Sequence, residues 1–162
     1  MGYSMYMDVA YAGQLADINT YISRTYSASE VIPAGTLIAR TEQGKEIAKK
    51  ATKKEDEILG ICLRDTSGIN DGIEGFKAKS AIAAISFGCV YVVVESDVKS
   101  GQSVYVRVVD DASLKIGGFS GKEDATKANT LKVKNAKFVT SAQAGKVAQI
   151  ELLGGLELLA VV

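Results

Sequence analysis

The side chains able to do chemistry in this chain are few and poorly placed for it. None of the 162 residues is a histidine. That removes the group best suited to moving protons near neutral pH, and the commonest metal ligand. Carboxylates and two thiols remain. Cys62 and Cys89 sit inside the apolar runs Ile61-Cys62-Leu63 and Cys89-Val90-Tyr91, where a thiol packs as a small hydrophobe. The glycine cluster Gly117-Gly118-Phe119-Ser120-Gly121-Lys122-Glu123 invites comparison with a phosphate loop. It fails on spacing, with three residues between Gly117 and Gly121, and Glu123 stands where the metal-binding hydroxyl belongs. It reads as a β-turn. No Gly-x-Ser-x-Gly elbow occurs, and a serine nucleophile would have no histidine base. Asp110-Asp111 reads as a solvated turn, because a glycosidase pair needs carboxyls brought from separate segments. No catalytic, cofactor-binding or metal-ligating residue is assigned, and the chain is read as not an enzyme.

The elements that would position any site are short strands between turns. Ile32-Pro33-Ala34-Gly35 is a turn, Thr36 to Arg40 a strand, and Glu42-Gln43-Gly44-Lys45 the next turn. Ile58 to Arg64, Ala81 to Phe87 and Cys89 to Glu95 follow, with Gly88 as a bulge or turn. Val90-Tyr91-Val92-Val93-Val94 is β-branched and aromatic, a poor helix and a good buried strand. In Ser103 to Val109, the residues Val104, Val106 and Val108 share one face, opposite Tyr105, Arg107 and Val109. Leu131 to Val139 and Lys146 to Leu152 complete the pattern, and the apolar tail Leu156 to Val162 packs on the core or on another subunit. Glu46 to Glu57 reads as a helix or a solvated loop; its lysines are followed by Glu55, Asp56 and Glu57, the pattern of a solvated surface.

Residues 1–30 differ from the rest. Five of the seven tyrosines lie there (Tyr3, Tyr6, Tyr11, Tyr21 and Tyr26), with few charges. Such composition suits an interface, since tyrosine gives large contact area at low entropic cost; it equally suits a first strand and loop of the same domain. The chain therefore divides into an N-terminal arm, 1–30, and a single all-β domain, 31–162, a β-sandwich or barrel of jelly-roll-like type. Tyr3, Tyr6 and Tyr11 are the candidate interface residues.

Composition narrows the partners. Nineteen basic residues balance nineteen acidic ones, so there is no electrostatic footprint for nucleic acid or an anionic membrane, and little repulsion against self-association. No signal peptide and no span of about 20 apolar residues is visible.

The C-terminal half carries the most specific sequence. It runs Val98-Lys99-Ser100-Gly101-Gln102-Ser103-Val104-Tyr105-Val106-Arg107, then Ile116-Gly117-Gly118-Phe119, then Ala136-Lys137-Phe138-Val139-Thr140-Ser141 and Ala144-Gly145-Lys146-Val147-Ala148-Gln149-Ile150-Glu151-Leu152. With Ala12-Gly13-Gln14-Leu15-Ala16-Asp17 and Ile32-Pro33-Ala34-Gly35-Thr36, this order resembles the structural cement, or capsid decoration, proteins of tailed bacteriophages. The resemblance implies a homodimer or homotrimer made in the host cytoplasm and carried on the outer surface of the virion's icosahedral head. Its partner would be the major capsid protein, with no cofactor, no nucleic acid and no membrane. A shell under outward pressure from packaged DNA is strengthened by a small protein bridging its subunits, and an oligomer multiplies weak contacts through effective concentration. The family carries no catalytic residues, so none are transferred. The competing reading is a small β-barrel that binds a ligand or works as a carboxylate-dependent enzyme.

Overall fold

The computed structural model describes residues 10–65 and 75–162. Strands hold 46% of the described residues and helix 2%, so the fold is all-β, as expected. The strands are β1 (Ile22–Ala28), β2 (Leu37–Arg40), β3 (Ile47–Lys50), β4 (Ile58–Cys62), β5 (Ala81–Val93), β6 (Ser103–Arg107), β7 (Phe119–Ser120), β8 (Thr130–Phe138), β9 (Val147–Leu153) and β10 (Leu158–Leu159), with one 3₁₀ turn at Lys127–Asn129.

Two rings of strands share β5. The first runs β1-β3-β2-β4-β5 and closes because β1 also pairs with β5, antiparallel from Ile22↔Phe87 to Ser27↔Ala81. This is a barrel with no free edge. Every strand contributes to its interior: Tyr26 and Ala28, Ile38, Ala48, Leu59 and Cys62, Ile82 and Ala84 pack into one buried cluster. The second group, β5-β9-β8-β6-β7, curls back so that Val94, just past β5, bridges Phe119 of β7. β10 adds to β8, with Leu158 opposite Val133; the apolar tail thus packs on its own domain, burying Leu156 and Leu158.

The larger core lies between the rings. Leu37, Ala39, Ile61 and Ile85, on the outer side of the first ring, join Val104, Val106, Phe119, Phe138, Ile150 and other side chains of the second. β2 is therefore buried on both faces, Ile38 pointing into one core and Leu37 and Ala39 into the other. Two bulges make this possible. Opposite Ile38–Ala39 the register passes from Gly60 to Ile58 and skips Leu59; the extra residue puts Ile58 and Ile61 on the same side. Gly60 holds φ at +139°, and a side chain there would collide with the carbonyl of Ile85, so only glycine lets β4 approach β5 this closely. In β5 the register skips Ser86, which reverses the alternation, so that Ile85 and then Val90 and Val92 face the larger core.

Three expectations change. β5 is one continuous strand, with Gly88 paired to Leu152 rather than starting a turn. Within 46–57, Ile47–Lys50 is a strand, parallel to β1 and antiparallel to β2, not a helix. Its lysines are half-buried and Ala48 is fully buried, and Asp56 ends it by accepting N–H bonds from Thr52 and Lys53, each 2.9 Å, and pairing with Lys49 at 2.9 Å. Residues 22–28, grouped by composition with the arm, form β1 of the closed barrel.

Candidate functional site

The start of the described chain is bound to the domain. At Tyr11-Ala12-Gly13-Gln14 the Gln14 N–H donates to the Tyr11 carbonyl (3.1 Å) and the Tyr11 N–H to the Gln14 side-chain oxygen (3.1 Å). Gly13 holds φ at +80°, the third position of a type II turn. A Cβ there would lie 2.8 Å from the Arg64 nitrogen and 2.9 Å from the Cys62 oxygen. The chain then pairs with the second half of β5, Gly13 N–H to Tyr91 O at 2.7 Å and Ala16 N–H to Cys89 O at 3.0 Å. Of the three candidate contacts, the structure places Tyr11 on this turn, 56% exposed, its ring under the Arg64 guanidinium at 3.9 Å. Tyr3 and Tyr6 lie outside the described residues.

Downstream, residues 17–21 leave β5 before β1 begins. The Asn19 N–H donates to Asp17 Oδ1 at 2.8 Å, a side-chain turn that holds Ile18 outward, 76% exposed. Tyr21 and Ile22 are exposed beside it. Ile22 pairs with Phe87, and Phe87 with Leu153; directly paired residues share a sheet face. Ile22, half-buried Phe87 and exposed Leu153 thus form an apolar row across β1, β5 and β9. Clustered exposed apolar groups of this kind mark contact surfaces. Composition pointed to the tyrosines of this region, but the row depends on pairing across strands distant in sequence.

The other notable constellation is buried. Arg107, at the end of β6, is 1% exposed. Its Nε and Nη2 grip Glu95 at 2.9 Å each, and Nη2 also pairs with Asp124. Glu95 follows β5, and its N–H donates to Phe119 O at 2.8 Å. Asp124 follows β7, accepts the Thr126 N–H at 2.9 Å and donates its own N–H to the hydroxyl of buried Thr130. The guanidinium therefore ties the ends of β5 and β6 to the β7–β8 loop at the seam of the second ring. Hydrogen bonding from Arg107 holds the Asp124 carboxyl below the usual carboxylate range, and the Arg107 pKa is raised, led by its bonds to Glu95. The sequence signal for this cluster was a lone arginine between Val106 and Val108. Alternation placed it on the face opposite the valines, and the partners that bury that face come from other segments.

The remaining polar groups are structural. Burial pushes the Cys62 thiol up to about 12, and Cys89 is half-buried with its pKa also raised by burial. Asp110 accepts the Ile116 N–H at 2.8 Å, and Asp111 pairs with Leu114 in a turn. In the glycine cluster, Ile116 and Gly117 form a turn closed by the Gly118 N–H to the Lys115 carbonyl at 3.2 Å, and Phe119 and Ser120 continue as β7; the expected turn is present and leads into a short strand. Among the described residues no three His, Cys, Asp or Glu side chains are grouped to hold a metal.

A filled barrel, an ion-paired seam and an exposed apolar row define a protein whose side chains build shape and contact. The chain matches the structural cement protein family (E217 gp24/Pam3 gp6) over residues 1–153, and it belongs to that family of phage structural proteins. Its fold is similar to that of a chain in the capsid of Myoviridae phage XM1, with TM-score 0.69 at 19% identity, covering 92% of this chain and 93% of that one. A further solved structure, the head fiber gp8.5 N base of bacteriophage phi29, has TM-score 0.49 at 14% identity, covering 82% of this chain and 94% of that one. No curated protein matches. The family places the chain among capsid-associated proteins of the virion.

Proposed function

We propose that this protein binds the outside of the icosahedral head as a homodimer or homotrimer and stabilises contacts between major capsid protein subunits, without enzymatic activity. The observation that carries this is the family match across residues 1–153. The geometry supports it. The barrel interior holds a cluster of buried apolar side chains contributed by every strand, the packing of a structural core rather than the set of polar groups a ligand site needs. The balanced charge of nineteen against nineteen suits a protein that does not meet packaged DNA. The contact surface of this reading combines the arm, anchored by Tyr3, Tyr6 and Tyr11, with the apolar row of Ile22, Phe87 and Leu153.

The test is to mix the purified protein with undecorated capsids and measure bound copies by sedimentation. Saturable binding at a fixed number of copies per shell is expected; no binding contradicts the reading. Deleting residues 2–9 removes Tyr3 and Tyr6 and leaves every contact described above in place. Loss of decoration by that folded variant assigns the arm as an anchor, and unchanged occupancy and affinity exclude it. Hot-spot aromatics typically cost about 2 kcal/mol each on truncation, roughly thirtyfold in affinity.

A further inference from the structure

The outer face of the sheet built by β5 and β9 is apolar at both ends and charged between them. Past the bulge at Ser86, the odd-numbered residues of β5 from Phe87 to Val93 point outward, and so do those of β9 from Val147 to Leu153; the residues between them are buried. Phe87 is paired with Leu153 at one end of the face and Val93 with Val147 at the other, and both Leu153 and Val93 are exposed. Between these ends Cys89 pairs with Glu151, and Glu151 with Lys137 of β8. Asp17 lies on the far side of Cys89, since its neighbour Ala16 donates an N–H to the Cys89 carbonyl at 3.0 Å. Burial raises the Cys89 pKa, and the charges of Glu151 and Asp17 raise it further. Across the sheet the order is therefore acid, thiol, acid, cation, with Asp17, Glu151 and Lys137 all exposed.

This pattern is complementary to its own two-fold image. An isologous contact must match one patch to itself, residue i on residue j and j on i. A two-fold axis running along the strands between β5 and β9 lays β5 of one copy over β9 of the other. Phe87 then meets the second copy's Leu153, and Val93 meets its Val147, each contact occurring twice. In the middle row Lys137 falls over the second copy's Asp17, and Glu151 over its Cys89, so opposite charges face each other at both margins. Stacked sheets lie about 10 Å apart, a gap that two facing side chains fill. Nineteen basic residues against nineteen acidic ones leave little repulsion between copies. We propose that this face is the contact between two copies of the chain in a two-fold dimer, with apolar ends and Asp17–Lys137 pairs at its margins. The proposal rests on the oligomeric reading above, of which it selects the dimer and places the contact.

Sedimentation velocity on the full-length protein tests it, with the fold of each variant checked by circular dichroism. Lys137→Glu and Asp17→Lys each set like charges against each other in both marginal pairs, and each alone is expected to dimerise roughly tenfold more weakly than wild type, or worse. Mixed in equal amounts, the two variants regain opposite charges in both pairs, and the dimer is expected to return. Leu153→Lys places a charge in an apolar end and is expected to give a monomer. A wild type that stays monomeric or forms a trimer, a mixture that does not regain the dimer, or a Leu153→Lys protein as dimeric as wild type overturns the proposal. Undecorated capsids are then added. Decoration by a monomeric wild type keeps the cement reading and removes this contact. A wild-type dimer that passes each of these trials and does not decorate keeps the contact and defeats the cement reading. A Leu153→Lys dimer that no longer decorates gives the face to the capsid and overturns the proposal.

Discussion

The two rings that share β5 are held shut by different means. The first closes through a ladder of backbone pairs between β1 and β5, from Ile22↔Phe87 to Ser27↔Ala81, around an apolar interior. The second closes through one backbone bridge, Val94↔Phe119, reinforced by Arg107 reaching Glu95 and Asp124. Backbone pairing tolerates side-chain changes that preserve packing. A buried ion cluster does not, because each partner removed strands a charge in low dielectric. The account therefore expects mutational and pH sensitivity to differ between the rings.

The largest effect is expected at the seam. Arg107→Ala leaves the carboxylates of Glu95 and Asp124 facing each other and lowers stability by about 4 kcal/mol, read as a shift in the urea midpoint. Replacing the whole cluster, with Arg107→Met, Glu95→Gln and Asp124→Asn together, recovers most of that loss, since no charge is left stranded. If Arg107→Ala costs no more than a surface change, the seam is not held by the cluster. In the first ring the sensitive point is backbone. Gly60→Ala drives a methyl into the Ile85 carbonyl at φ +139°, and a loss of about 2 kcal/mol is expected from strain of this kind. A wild-type midpoint for this variant would show that β4 can shift away from β5.

Acid separates the rings further. The folded-state pKa of Asp124 is depressed, led by its hydrogen bond from Arg107, so its contribution is present above the unfolded carboxylate pKa near 4 and is lost as pH falls through the lower folded value. Hydrogen exchange at pH 3 is then expected to rise in β6, β7 and the β7–β8 loop before it rises in β1 and β2. Uniform exchange across both rings contradicts this. The smallest expected effect is at Tyr11→Ala, which removes an exposed ring from Arg64: about 0.5 kcal/mol of stability, within the scatter of surface substitutions.

These differences also explain what the sequence could reveal. Val90 to Val94 and Val104, Val106 and Val108 announce strands because their chemistry is local: β-branched side chains, period two and bounding turns. The same local logic misread Ile47–Lys50, where a lysine-rich run hides a strand whose inward residue is only an alanine. It split β5 at Gly88, since a glycine in a strand looks the same whether it ends the strand or makes room for Thr20 and Tyr21 against it. Tyr11 was visible by composition and is exposed. Tyr26, from the same cluster, is instead buried in the barrel, because composition does not carry the register that decides which way a tyrosine points. The Ile22–Phe87–Leu153 row was not legible, and of the Arg107–Glu95–Asp124 cluster only the arginine between Val106 and Val108 stood out. Their members come from three segments each, and only tertiary pairing brings them together.

The central claim, that this protein strengthens a DNA-filled head from outside, is tested most directly by the temperature at which virions release their DNA. Particles lacking the protein are compared with the same particles after saturating re-addition, using a dye that reports exposed DNA. The account predicts release at lower temperature without the protein and recovery of the wild-type value on re-addition. Identical release temperatures for bare and fully decorated particles would contradict it.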